Sequence, residues 1–505
     1  MSAPPGAFET RLDARELRCV PDAPALVARL RDEGLPWWLD SAMQAGRLGR
    51  FSFLGADPYL VLRARGREAE LEIRRPVRPD LDPGATRRVA DPFELVRSLL
   101  APVRSMPTRG VPPVPFVGGA VGYFGYELGA CVESLDLRAR EDGGPPDLAL
   151  LFVDRLVAID HARGRAWAIG TGFGRDEREA LECAARARED VESLAGSAPA
   201  AGEVASVSVG APSRLGAEPP GLETFFGAGS YAAAVDEIRG EIAAGNVYQA
   251  NLTQRMDLRL EKADPLTLYR DLRALNPAPF AAYLELPEVA VLSSSPERFL
   301  RLDPERAVES RPIKGTRPRG GTLEDDHRLR AELLASEKDR AENLMIADLV
   351  RNDLGRVCAL GSVDVPELMS VESYATVFQM VSAVTGVLRE DCDVVDLVRA
   401  SFPPGSMTGA PKLAAIRLID RLEPVRRGIY SGALGYLDAR GGCDLSVVIR
   451  TLVLEAHAAH LHVGGGIVAD SVPHDEYLES LDKARALLAV LARVATSAPI
   501  AATSV

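Results

Sequence analysis

The sequence predicts an α/β enzyme for a small anion, and three observations carry that prediction. Strand-like and helix-like runs alternate along the 505 residues. Glycine-rich pieces, which let backbone approach a ligand closely, recur through the C-terminal half. One basic stretch, Arg311-Pro312-Ile313-Lys314-Gly315-Thr316-Arg317-Pro318-Arg319-Gly320, stands in a chain of net charge −13.

Length allows two to four average domains with ample core. The acidic balance argues against nucleic acid or an anionic membrane as the main partner, while a local basic pocket can still receive a small anion. No apolar run approaches the roughly 18 residues of a membrane span, and the N-terminus lacks a basic-then-apolar signal pattern. A cytoplasmic location is therefore expected. The six cysteines are scattered without CxxC pairing, so reduced thiols are expected. His457, His460 and His462 read as the outer face of a strand rather than as a zinc site.

Residues 1–195 read as mixed α and β. Strands are predicted at Pro36–Asp40, Arg50–Leu54, Leu60–Arg63, Leu148–Val153 and Ala166–Ile169, and helices at Pro92–Leu100 and Arg175–Leu194. The run Gly118–Leu128 is glycine-rich without GxGxxG order and suggests close backbone packing. Trp37 and Trp38 read as core. Residues 196–228, rich in Gly, Ala, Ser and Pro, form the predicted linker.

Residues 229–495 hold the chemistry. Ser230 is the expected cap of a helix whose stripe is Tyr231, Val235, Ile238 and Ile242, with Gly245 at its end. An amide-rich strand, Asn246–Arg255, follows and reads as half-exposed. In the helix Ser336–Leu354, Asp339 and Glu342 share a face at i, i+3, and in the last helix Glu476, Glu479 and Lys483 share another. Such carboxylates are either solvated or ligands for a hard cation. Pro404–Lys412, Gly428–Tyr436 and Gly464–Gly466 are glycine-rich but lack P-loop spacing. Asp444–Thr451 reads as one strand bearing Arg450, an arginine suited to a carboxylate. Lys314 is either part of a solvated basic turn or an amine whose proton is disfavoured by adjacent guanidiniums.

In order along the chain, GNVYQANLTQR, SSSPERFL, RPIKGTRPRG, SEKDRAENLMIADLVRNDLGRV, PPGSMTGAPK, RGIYSGALGY, DLSVVIRT and GGGIVADSVPHDEYLESLDKA resemble the chorismate-utilising enzymes. They cover residues from about 226 to 487, with thinner N-terminal matches in LDSA, GRFSFLGADP and GGAVGYFGYELG. The resemblance implies a large sandwich of antiparallel sheets flanked by helices, the anthranilate synthase component I-like fold, with both regions woven into it. It implies Mg²⁺ held by Glu342 and Glu479, with Asp339 and Glu476 in or near the second shell. Tyr430 and Arg450 match the family's clamp on the enolpyruvyl carboxylate, with Thr316, Ser406 and the backbone of Gly464, Gly465 and Gly466 lining the rest.

Within the family, water-using members carry a lysine base where this chain has Gln249, and glutamine cannot take a proton from water. Lys314 matches the C4-aminating branch, aminodeoxychorismate synthase component I, in which a lysine adds at C2 before ammonia adds at C4. Gln379 replaces the histidine that assists pyruvate elimination, against an anthranilate synthase. The expectation is a chorismate-aminating enzyme fed with ammonia by a separate glutamine amidotransferase subunit, since the chain has no GxCxGxQ elbow. The alternatives are a C2-aminating anthranilate synthase component I and a non-catalytic regulatory subunit. Intact Glu342, Glu479, Arg450 and Lys314 speak against the second.

Overall fold

In the computed structural model the described residues are 8–497, apart from 44–47, 101–110, 134, 136, 138–142, 203–218, 261–262 and 375–376. Much of the predicted linker, 203–218, thus lies outside them. The described part of that linker includes a short strand, which joins a sheet.

Two large sheets dominate. The first runs β1 (Glu9–Glu16), β10 (Arg165–Gly174), β9 (Arg155–Asp160), β3 (Phe51–Gly55), β2 (Trp37–Asp40), β13 (Phe280–Glu285), β14 (Ala290–Ser295), β23 (Thr451–Glu455), β24 (Ala458–Ile467), β12 (Gln249–Arg259) and β11 (Leu222–Thr224), with β20 (Gly409–Ala410) also on β12. The second runs β17 (Ile313–Pro318), β19 (Val377–Val387), β16 (Ala307–Arg311), β15 (Arg298–Leu302), β22 (Cys443–Val447), β21 (Ala433–Asp438), β7 (Gly119–Phe124), β8 (Leu148–Val153), β4 (Leu60–Arg65), β5 (Glu68–Ile73) and β6 (Gly84–Val89), with β18 (Asp364–Ser373) on β19. Their pairings are antiparallel, and each sheet mixes strands from both halves of the chain. The five strands predicted in residues 1–195 all appear, as β2, β3, β4, β8 and β10, and Leu148–Val153 is buried throughout and matches β8 at both ends.

The helices are α1 (Ala23–Leu30), α2 (Pro92–Leu100), α3 (Gly129–Val132), α4 (Glu177–Gly196), α5 (Ala228–Ala243), α6 (Pro265–Leu275), α7 (Leu323–Ala335), α8 (Glu337–Gly355), α9 (Val394–Ser401), α10 (Lys412–Leu422) and α11 (Pro473–Ser497). Apolar faces of α1, α4, α6 and α11 cover one side of the first sheet. The largest core joins the two sheets: Phe53 of β3 meets Tyr436 of β21 edge to face at 5.7 Å, and Phe116 stacks on Tyr436 at 4.6 Å. Trp37 and Trp38 are buried, as expected. In β7 the glycines serve close packing: a Cβ on Gly122 would lie 2.0 Å from the Ala149 carbonyl oxygen of β8.

Three local expectations need correction. Ser230 does not cap α5; Gly227 holds that position, and the Ser230 hydroxyl donates back to its carbonyl at 2.9 Å. The amide-rich strand is buried along Gln249–Gln254 rather than half-exposed. Asp444–Thr451 is not one strand: β22 ends at Val447, Arg450 adopts φ +54, and β23 begins in the other sheet.

That break is half of a paired crossover. β14 leads out of the first sheet through Glu297 into β15 of the second, and β22 returns through Arg450 into β23. The two connections run side by side, tied by the Val447 amide donating to the Glu297 carbonyl at 3.0 Å. The predicted site gathers here.

Arg427 braces the region from behind. Its guanidinium donates to both oxygens of Glu423 at 2.6 and 2.8 Å, to the carbonyls of Met407 and Asn251 at 2.6 Å each, and to the Ser431 hydroxyl at 3.2 Å. Glu423 also accepts from the Thr253 amide and hydroxyl, each at 2.9 Å. Breaking such a buried pair from one side strands a charge. Arg427→Met is therefore expected to lower unfolding free energy by roughly 3–5 kcal/mol in urea titrations. A loss below about 1 kcal/mol would be a surface-pair value and would refute the bracing role.

Candidate active site

Lys314 lies on β17, an edge strand, not in a solvated turn. Ile313 pairs with Val381 and Thr316 with Gln379, so β17 carries one extra residue across that interval. This bulge re-aims Lys314, whose Nζ lies 3.5 Å from the Ser406 carbonyl. Gly315 is required beside it: its φ is +82, and a Cβ would sit 2.9 Å from both Asp339 and Leu333.

The expected field of bare guanidiniums around Lys314 is absent. Arg311 pairs with Glu367 at 3.0 Å and with Glu372, Arg317 pairs with Asp339 at 3.0 Å, and Arg319 pairs with Asp326. The charges that act on Lys314 are carboxylates: Glu297, Glu342 and Glu479 each feel its ammonium. These arginine partners come from α7, α8 and β18, and all but Asp326 lie at least twenty residues along the chain from the arginine they meet.

The acidic side is built by α8 and α11 against β24. Ser336 caps α8 by accepting from the Asp339 amide at 3.3 Å, which sets Asp339 beside Arg317 and points Glu342 inward. Glu342 is buried, and that burial raises its carboxyl above the usual range, against the pull of Lys314 and Lys338. Glu479 is held below the usual range, chiefly by Lys483 at 2.8 Å. The lysine also donates to the Gly464 carbonyl at 2.8 Å. Glu476 accepts from Lys338 at 3.0 Å and from the Ser471 hydroxyl at 2.7 Å.

Gly465 and Gly466 form a floor that only glycine permits. A Cβ on Gly465 would lie 3.4 Å from Glu476 Oε2 and 3.8 Å from Glu479 Oε1, and one on Gly466 would lie 3.4 Å from Glu342 Oε2 and 2.1 Å from Gln249 Nε2. Gln249 is buried, and its Oε1 has no hydrogen-bond partner among the described residues. Among the described residues no group of three or more His, Cys, Asp or Glu side chains forms a ready-made cage. The donors nonetheless fit a hard cation. Mg²⁺ needs only one or two protein carboxylates and keeps waters and substrate oxygens for the rest.

Opposite stand the carboxylate-binding candidates. Arg450 is half-buried, donates to the Lys483 carbonyl at 2.6 Å, and has no carboxylate partner among the described residues. Burial disfavours its charge, offset in part by Tyr430 and Glu479. Tyr430 is buried and stacks on His462, rings 5.1 Å apart and 14° from parallel. His462 therefore does not face outward as the alternating pattern suggested; burial first, then Arg255 and Arg427, depress its basicity to about 3, so it stays neutral. His460 does pair, with Asp257 at 2.9 Å and Glu455 at 3.1 Å.

One residue escaped the sequence reading. Glu297, inside SSSPERFL, is buried on the first crossover, where burial pushes its carboxyl up to about 7 despite a hydrogen bond from Ser406 and the nearby Lys314. A carboxylic acid half-protonated at neutral pH beside an amine is a proton donor in waiting. Its only sequence signal was an acid interrupting an apolar strand pair. The structure thus links Lys314, Ser406, Glu297, Tyr430, Arg450, Glu479, Glu342, Gln249 and Gly464–Gly466 in one circuit, with Asp339 and Glu476 at its flanks. Thr316 is exposed, across from buried Gln379.

The chain is 44% identical over 495 residues to an aminodeoxychorismate synthase of Streptomyces pristinaespiralis, covering 97% of this chain and 66% of that protein. It is 42% identical to an aminodeoxychorismate synthase of Streptomyces griseus, covering 90% and 61%. It thus spans less than two thirds of the length of either relative. An anthranilate synthase component 1 of Mycolicibacterium smegmatis is 38% identical over 472 residues, covering 91% and 86%. Among solved structures, anthranilate synthase component I from Streptococcus pneumoniae superposes with TM-score 0.69 at 27% identity, covering 87% and 92%. The menaquinone-specific isochorismate synthase of Escherichia coli shares the fold at TM-score 0.65 and 19% identity, covering 97% and 96%. The family model for chorismate binding enzymes matches residues 43–489, and the chain belongs to that family.

Proposed function

We propose that this chorismate-utilising enzyme aminates chorismate at C4, giving 4-amino-4-deoxychorismate. The observation that carries the reading is Lys314, re-aimed by a strand bulge toward Ser406 with Glu297 acting on the same amine. Arg450 and Tyr430 bind the enolpyruvyl carboxylate. Glu342 and Glu479 would hold Mg²⁺, which when bound neutralises the ring carboxylate of the substrate.

The residues then divide the chemistry. Lys314 passes its ammonium proton to the Glu297 carboxylate, the freed amine adds at C2, the ring double bonds shift, and the C4 hydroxyl departs as water with that proton. Ammonia adds at C4, the double bonds shift back, and the Lys314 amine leaves C2. The unpartnered Gln249 Oε1 accepts an N–H of the incoming ammonia, and its amide takes no proton from water. Gln379 has no acid–base chemistry to offer pyruvate elimination, so the product keeps its enolpyruvyl group.

Ammonia comes from a separate glutamine amidotransferase. Of the six cysteines, Cys131, Cys358, Cys392 and Cys443 are buried, and burial raises each thiol, the reverse of what a nucleophile requires, while Cys19 and the part-exposed Cys183 belong to the N-terminal region outside the circuit. Whether the product serves folate or specialised aromatic synthesis is set by downstream enzymes.

The relatives named anthranilate synthase favour C2 amination as the second reading, and one assay separates the two. With chorismate, Mg²⁺ and an ammonium salt, aminodeoxychorismate without pyruvate is the expected product by mass, NMR and a coupled lactate dehydrogenase assay. Stoichiometric pyruvate with a C2-aminated ring would favour the anthranilate reading instead. Glu297→Gln keeps shape and removes the proton, so C4 amination should fall roughly 100-fold or more while chorismate still binds. An unchanged rate would remove Glu297 from the chemistry.

A further inference from the structure

Besides Lys314, two lysines stand among the carboxylates assigned to the cation, and they are held differently. Lys483 is built into the α11–β24 joint: its Nζ bonds the Gly464 carbonyl and Glu479, and its own carbonyl receives Arg450. Among the described residues Lys338 makes a single ion pair, 3.0 Å to Glu476, across from α8 to α11. Its side chain is 45% exposed, whereas the Glu476 side chain is 4% exposed. Glu476 has a second donor in Ser471, so it would remain hydrogen-bonded if Lys338 left. The ammonium of Lys338 also acts on Glu342 and Glu479.

We propose that Lys338 is a tethered counter-cation, a positioning residue that bridges the two glutamate-bearing helices and competes with the divalent ion for their field. This inference rests on the Mg²⁺ reading of Glu342 and Glu479 given above. In the metal-free protein the lysine offsets repulsion among Glu342, Glu476 and Glu479, keeping α8 and α11 in register. A divalent cation beside Glu342 and Glu479 makes the ammonium redundant there and repels it. Lys338, with one partner and an exposed stem, is the group that can move aside. The cleft is thereby held in shape before the ion arrives, at the expense of affinity for it. A merely structural salt bridge predicts the opposite sign, since losing it would splay the ligands and weaken metal binding.

Calorimetric titration of the full chain with MgCl₂, without chorismate, tests the sign. Lys338→Met, which keeps the stem and removes the charge, should bind Mg²⁺ roughly ten-fold more tightly than wild type. Lys338→Arg, which keeps the charge, should stay near the wild-type Kd. Equal or weaker binding by Lys338→Met, with circular dichroism showing an intact fold, overturns the proposal. A misfolded Lys338→Met would itself assign Lys338 an obligatory structural role and overturn it too. Glu479→Gln provides the separate control: loss of binding there supports the metal reading whatever Lys338 does. Absence of Mg²⁺ binding by wild type would end both readings together.

Discussion

The site depends on one buried guanidinium. Arg427 binds Glu423, the backbone of β12 at Asn251, the backbone at Met407 and the hydroxyl of Ser431. Three of those four partners adjoin a functional group: β12 begins with Gln249, Met407 follows Ser406, and Ser431 follows Tyr430. A single planar donor therefore sets the relative positions of three segments that arrive from different parts of the chain. In a dry interior such a network is costly when incomplete and rigid when satisfied. Here it is satisfied on both partners, which gives the loop-borne side chains a fixed frame.

The second constraint is topological. Strand pairs that leave one sheet for the other must break their ladders, and the freed positions face the space between the sheets. Glu297 and Arg450 occupy the two breaks. One is a carboxyl that burial pushes toward its protonated form, and the other is a guanidinium without a carboxylate partner among the described residues. These are the states needed by a proton donor and by a receptor for a substrate carboxylate. On the facing side, carboxylates of α8 and α11 meet the lysines Lys314, Lys338 and Lys483. A strongly acidic chain thus presents alternating charge at its centre, and the local pairing, rather than net charge, decides what binds.

How much of this was legible from sequence depended on the range of the interactions. A continuous apolar run located β8 and an amide-rich run located the core of β12, and the i, i+3 spacing put Asp339 with Glu342 and Glu476 with Glu479 on shared helix faces. The motif resemblance gathered Lys314, Ser406, Tyr430, Arg450 and the triple glycine, and the structure brings them together. What failed was anything decided by distant partners. The arginines around Lys314 looked like a positive field because Glu367, Glu372, Asp326 and Asp339 enter only through the fold. Glu297 looked like an ordinary strand acid because its burial follows from a crossover. Arg450 looked like the end of a strand because a single left-handed residue leaves no trace in periodicity. His462 alternates correctly with His460, but Tyr430 covers it.

The central claim is that the bulge on β17 makes Lys314 a covalent nucleophile whose attack is coupled to protonation of the departing hydroxyl. Intact-mass spectrometry of the protein mixed with chorismate and Mg²⁺, in the strict absence of ammonia, tests it most directly. The account predicts a population heavier by chorismate less one water, mapping to Lys314 in the peptide digest and disappearing when ammonium is added. Unmodified protein under those conditions, together with full C4 amination by Lys314→Ala once ammonium is supplied, would contradict it.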